Sequence, residues 1–117
     1  MEDKFVYMTP EQIEERKAKI AAIEGLAELS HASYAISNAV FADDILNKLY
    51  KHRELRAKYP RAAAYLEAEQ WISTEDPIKV RLGSRAMEKI LDGEDPEAVI
   101  LEMQGGLDAF NLAQQGD

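Results

Sequence analysis

Three features of this 117-residue chain point to a mainly α-helical bundle of four to six helices in a single domain, residues 1–117. Proline and capping residues stand where helices begin, and apolar residues recur at three and four positions. With 46% hydrophobic and 31% charged residues, the composition is that of a folded chain rather than a disordered one. A chain this long can bury a core without disulfide or metal staples, and it contains no cysteine.

The first helix is announced by Thr9-Pro10-Glu11-Gln12, with threonine at the N-cap, proline at the first helical position and glutamine at the third. Ile13, Ile20, Ile23 and Ala27 then recur at helical spacing, so the helix should run from Pro10 to about Leu29, with Gly25 a weak point inside it. Residues 30–38 are small and polar enough for a turn. Yet Ala32, Ala35, Ala39 and Ala42 draw a small-residue stripe, and helix is the preferred reading for most of the segment. Phe41, Ile45 and Leu49 carry an apolar face onward until Lys58-Tyr59-Pro60 ends it, because a residue before proline is pushed out of helical geometry.

Pro60 opens the next helix, favoured by Ala62–Ala64 and given apolar residues by Tyr65, Leu66, Ala68, Trp71 and Ile72. Residues 73–77, Ser-Thr-Glu-Asp-Pro, form a loop. The following segment reads two ways. Ile78, Val80 and Leu82 alternate as in a strand, which could pair with Phe5–Met8 as a minor two-stranded ribbon. Ile78, Leu82, Ala86 and Ile90 equally define one face of a helix with Pro77 at its first position, and this reading is preferred. Asp92-Gly93 ends that element, and Asp95-Pro96-Glu97 starts the last one. Its apolar side is Val99, Ile100, Met103, Leu107 and Phe110, with Gly105-Gly106 expected to break or fray it and 114–117 expected as a loose tail. No heptad run, low-complexity tract or repeat interrupts the pattern.

Catalytic motifs are scarce. No glycine-rich phosphate loop or Gly-x-Ser-x-Gly elbow occurs, and only His31 and His52 are available for imidazole chemistry. Glu28 and His31 have the i, i+3 spacing of a di-iron helical bundle, but Leu49 stands three residues before His52, so the second pair is missing. Glu11, Glu14, Glu15 and Glu28 resemble the carboxylates with which all-α nucleotide pyrophosphohydrolases hold Mg²⁺. Where that family carries an aspartate three residues after the last glutamate, this chain has His31. The resemblance implies a Mg²⁺-dependent hydrolase as the enzymatic alternative; the expectation is a non-enzyme without metal or cofactor.

Charge is more informative. The formal net charge is −8, from 22 acidic and 14 basic residues, yet residues 30–60 carry five bases against three acids. From residue 94 onward there are six acids and no base. Glu94, Asp95, Glu97, Glu102 and Asp108 are therefore the candidate contact residues for a partner with a basic surface, since complementary potential speeds and discriminates encounter. Solubility alone would also account for the excess acid. The basic alternative is the Lys48–Arg61 segment, in which Lys48, Lys51, Arg53, Arg56 and Lys58 would make the contacts, Arg61 closes the run, and Tyr50, His52 and Tyr59 are interleaved; Lys48, His52 and Arg56 share one helix side and the aromatics could stack on nucleobases. A sequence pI near 4.8 opposes that reading.

In size, charge and lack of catalytic motifs the chain resembles phage-encoded inhibitor proteins, including anti-CRISPR proteins and DNA mimics. The likeness is compositional and transfers no residues; it implies a non-catalytic, inhibitory protein whose partner is another protein. Met1–Lys4 lacks the apolar run of a signal peptide, and no stretch reaches ~18 apolar residues, so a cytoplasmic protein without a membrane span is expected. Phe5–Met8, and Phe110 and Leu112 near the other end, either fold back on the bundle or meet another chain, a homodimer included.

Overall fold

A computed structural model describes residues 8–115. Six helices follow in order among them: α1 (Pro10–Ala21), α2 (Leu26–Ser37), α3 (Ala42–Lys58), α4 (Pro60–Ile72), α5 (Pro77–Leu91) and α6 (Pro96–Gln115). No strand occurs among the described residues, which makes the fold mainly α-helical.

The capping residues act as their positions predict. Gln12 donates its backbone N–H to Thr9 Oγ1 at 3.1 Å, and the Thr9 N–H donates to Gln12 Oε1 at 2.9 Å. Asp76 and Asp95 accept from the backbone N–H groups of Ile78 and Ala98, each at 2.9 Å. Asp76 thereby starts α5 just before Ile78–Leu82, and the two-stranded ribbon is overturned on that side. A helix satisfies this segment's backbone locally, whereas a strand needs a neighbour. Of the other side, Met8 is not in a strand and residues 5–7 lie outside the described residues. Beyond α5, Gly93 adopts φ +92 and lets the N–H groups of Gly93 and Glu94 close on the carbonyls of Ile90 and Lys89, each at 3.1 Å.

Three boundaries differ from the sequence reading. The single helix expected over 10–29 is two helices, because Gly25 takes the left-handed conformation at φ +78 between them. The helix expected to continue to Lys58 breaks after Ser37. There the Ser37 hydroxyl and the Asn38 side-chain amide donate to the carbonyls of Ser33 and Tyr34, four residues back, which competes with continuation of the ladder. Finally, Gly105-Gly106 does not break α6, which runs through to Gln115. Gly106 instead lies against Leu82 of α5, where an added Cβ would come within 2.8 Å of a leucine methyl. Gln114 and Gln115 accordingly continue α6.

The helices pack as a central trio, α4, α5 and α6, to which the antiparallel α2–α3 hairpin is joined through α4. α1 packs on α5, tied by the Arg16–Glu88 ion pair and by Lys19–Asp92 at 3.4 Å. The buried core combines four alanines, Ala62, Ala64 and Ala68 of α4 and Ala86 of α5, with Ile23, Leu29, Tyr65, Met87, Ile90, Val99 and Met103. Small side chains let the helix axes approach closely but bury little apolar area per residue. Several large apolar residues lie outside instead. The row read from Phe41, Ile45 and Leu49 does not form a buried face: Phe41 precedes α3 and is 76% exposed, and Leu49 is exposed. What α3 turns inward is the side carrying Ile45, Lys48, His52 and Leu55. The Cα radius of gyration is 16.7 Å, against ~13 Å for a compact chain of this length, and the shortest extent is 26 Å. The assembly is flat and open.

Candidate functional site

The five acidic candidates divide by what each side chain already does. Asp95 is engaged as the cap of α6. Glu102 receives Lys89 Nζ at 2.6 Å, and this hydrogen bond holds its carboxyl below the usual glutamate range. Glu94, Glu97 and Asp108 are exposed and have no ion-pair partner among the described residues. At 100° per residue, Glu97 and Asp108 share one face of α6 with Leu101 and Leu112. Those leucines are 69% and 67% exposed. The face is thus a row alternating acid and leucine over about 22 Å of helix.

The basic candidates do not form one surface. Lys48 is held by Asp44 at 2.6 Å within α3. The side that Lys48 shares with His52 and Arg56 turns toward α2 and α4, where His52 meets Ser33. Lys58 lies over the Tyr59 ring at 5.3 Å, while Lys51 is exposed on another side. Arg61, at the end of the basic segment, donates from Nη1 to the carbonyls of Ile90 and Glu94, both at 2.9 Å. It joins the start of α4 to the α5–α6 connection, so its charge serves the fold.

Two open clefts lie on this framework. The first, about 560 Å³, runs between α3, α4 and α6 and brings members of both candidate sets together: Arg53 and Arg56 on one side, Glu67 and Glu97 on the other. Leu101 also lines it, so the cleft opens directly onto the acidic face of α6. The second, about 550 Å³, lies between α2, α3 and α4 and is rich in hydroxyls, among them Ser30, Ser33, Tyr34 and Ser37.

Within the second cleft Ser33 Oγ and His52 Nε2 are 2.9 Å apart. A catalytic serine also needs donors aimed at a developing oxyanion. Ser33 sits mid-helix in α2, where backbone N–H groups belong to the helix ladder, and among the described residues no carboxylate holds the other imidazole nitrogen. The pair is better understood as a tie between the two hairpin helices. Burial, and secondarily the neighbouring Arg56 charge, lowers the His52 pKa below its ordinary value. The unfolded chain therefore takes up this proton first as pH falls below ~6.5, so stability is complete above that value and declines as pH drops through the folded-state pKa. Thermal melts at pH 7.5 and 5.5 should show a smaller acid-induced loss in His52→Gln than in the parent. Equal losses would remove His52 from the pH response.

The carboxylates of the hydrolase alternative are not gathered. Glu11, Glu14 and Glu15 lie on α1, which packs on α5 rather than on α2, and Glu28 accepts from the Tyr59 hydroxyl at 3.4 Å. Among the described residues no three His, Asp or Glu side chains are placed to hold one metal ion. No helix among them is long and apolar enough to cross a membrane. Sequence reasoning marks Leu112 as an apolar residue that folds back or meets another chain but misses Leu101 and the face they share, since their spacing of eleven passes across the two glycines expected to break or fray the helix. Comparison with protein-family models, curated proteins and solved structures finds no match.

Proposed function

We propose that the protein is a non-catalytic binding protein that engages a macromolecular partner, a protein presenting a basic and apolar surface, through the outward face of α6. The observation that carries this reading is the row of Glu97, Leu101, Asp108 and Leu112, in which two carboxylates without ion-pair partners among the described residues alternate with two largely exposed leucines. Carboxylates would steer the encounter and fix register, while the leucines would supply the desolvated contact. The cleft beside Leu101 would receive a side chain of the partner, with Glu67 and Glu97 at its rim. Glu94 contributes to the same acidic end, whereas Asp95 and Glu102 are reserved for the cap and the Lys89 pair. In a cytoplasmic setting, such a protein would be inhibitory where the basic surface it covers is one that otherwise holds nucleic acid.

The test is capture from host extract with the parent and with Glu97→Lys plus Asp108→Lys, followed by association kinetics on the purified captured protein. The double charge reversal should slow association about tenfold or more at low salt and lessen its salt dependence. A captured protein that associates equally fast with both forms would sink the α6 assignment.

A further inference from the structure

Three helices wall the first cleft. Arg53 and Arg56 come from α3, Glu67 from α4, and Glu97 and Leu101 from α6. Spacings of three in the arginine pair and four from Glu97 to Leu101 set each pair on one side of its helix. The remaining lining is apolar, with Ala63 and Ile100 among it. At about 560 Å³ the cleft falls within the ~300–1,000 Å³ of small-ligand sites, room for a few residues of a peptide.

Opposite charges share this cleft without meeting. Neither arginine forms an ion pair with Glu67, Glu97 or any other carboxylate among the described residues. Glu67 is held instead by Gln104 of α6, whose Nε2 donates to Oε2 at 3.1 Å. Where charges tie helices together in this fold they close on one another, as in Arg16–Glu88 and Lys89–Glu102. Helix dipoles account for Arg56 in the last turn of α3 and Glu97 in the first turn of α6. They do not account for Arg53, before that last turn, or for Glu67 in the middle of α4. A purely acidic ligand would face Glu67 and Glu97, and a purely basic one would face the arginines. Only a ligand carrying both charges on an apolar body satisfies the two sets.

We propose that the cleft receives a short mixed-charge segment of the protein partner. Its carboxylate meets Arg53 and Arg56, its ammonium meets Glu67 and Glu97, and its apolar side chains lie against Ile100 and Leu101. This rests on the proposed α6 contact and deepens it: at the cleft, the partner's surface is dipolar rather than uniformly basic. Guanidinium groups suit the carboxylate end because their planar fork matches its two oxygens. The arginines also discriminate. A net charge of −8 attracts basic surfaces in general, and Arg53 and Arg56 reject those that bring no acid to this point.

The test is an NMR titration of the full chain with the capped peptide acetyl-Lys-Leu-Leu-Glu-amide and with its all-lysine and all-glutamate counterparts, in which both charged positions carry the same residue. The mixed peptide should shift the backbone amides of Ile100 and Leu101 with a dissociation constant on the order of 0.5 mM, and each single-sign peptide should bind at least ~5-fold more weakly. Arg53→Glu with Arg56→Glu makes the charged lining wholly acidic and should reverse the order, the all-lysine peptide then binding tightest. A folding defect cannot produce that reversal. The proposal is overturned if the mixed peptide leaves those amides unmoved to about 5 mM, ten times the expected constant, or if the double variant keeps the parent's order. An all-lysine peptide that binds the parent as tightly as the mixed one also overturns it, while leaving the acidic α6 contact standing. That contact falls on its own test, by equal association of the Glu97→Lys plus Asp108→Lys chain.

Discussion

Gly83→Val is expected to lower the melting temperature by about 12 °C, corresponding to roughly 3 kcal/mol at ~4 °C per kcal/mol. Gly83 is buried in α5 against α4. A Cβ added there would stand 2.9 Å from the Ala68 carbonyl oxygen, 2.9 Å from Trp71 Cβ and 3.2 Å from Ile72 Cγ1. The first is a backbone atom and the second is fixed to one, so neither can rotate away. Relief requires α4 and α5 to separate, which also loosens the packing around buried Ala68. Against a total stability of ~6–18 kcal/mol for a chain of this length, such a loss is a large share. Gly105→Ala is the matched control, since nothing lies within 4 Å of its added methyl and alanine favours helix. Equal melting temperatures for Gly83→Val and the parent would show that α4 and α5 do not approach this closely.

The residues that announce helix starts act locally, and for that reason they are readable in one dimension. Thr9, Asp76 and Asp95 each satisfy a backbone N–H two or three residues ahead, independent of what packs nearby. Pro10, Pro60, Pro77 and Pro96 likewise sit at the first helical position. Glycines are read less well because their effect depends on the neighbour. Gly105 and Gly106 remain helical, Gly106 closing on Leu82, whereas Gly25 takes a left-handed conformation between α1 and α2 beside Tyr59. Sequence spacing carries no information about which helix stands opposite.

The same limit applies to the candidate site. Charge counting finds the acidic end and capping chemistry already sets Asp95 apart, but only the three-dimensional arrangement separates Glu102, which Lys89 engages, from Glu97 and Asp108, which have no ion-pair partner among the described residues. It also moves the basic segment from one stripe to several unrelated places: Lys48 is paired with Asp44, and Arg61 is spent on carbonyls at the α5–α6 connection. Four alanines are among the buried core residues, while Leu46, Leu49, Tyr50, Leu101 and Leu112 remain outside. Alanine and glycine where α4 meets α5 allow close helix approach, and the exposed leucines lie on α3 and α6. Two separate helices thus carry exposed large apolar residues.

Gly25→Ala distinguishes the broken helix from a continuous one by the sign of its effect. Were residues 10–29 a single helix, alanine would stabilise it by ~0.5–1 kcal/mol. With Gly25 at φ +78, any side chain at this position costs ~1–2 kcal/mol for the left-handed backbone alone. An added Cβ would in addition fall 2.2 to 2.6 Å from three atoms of the Tyr59 ring. That ring packs against the core, and its hydroxyl donates to Glu28 at 3.4 Å, so displacing it loosens the junction of α2, α3 and α4. Adding ~1–3 kcal/mol for overpacking gives an expected destabilisation of about 3 kcal/mol, read by chemical denaturation at constant m-value. Tyr59→Ala supplies the second arm of a double-mutant cycle. In its background the ring clash is absent, so Gly25→Ala should cost less by about 1–2 kcal/mol, leaving the backbone contribution alone. Stabilisation by Gly25→Ala in either background would restore the continuous helix and remove the α1–α2 turn.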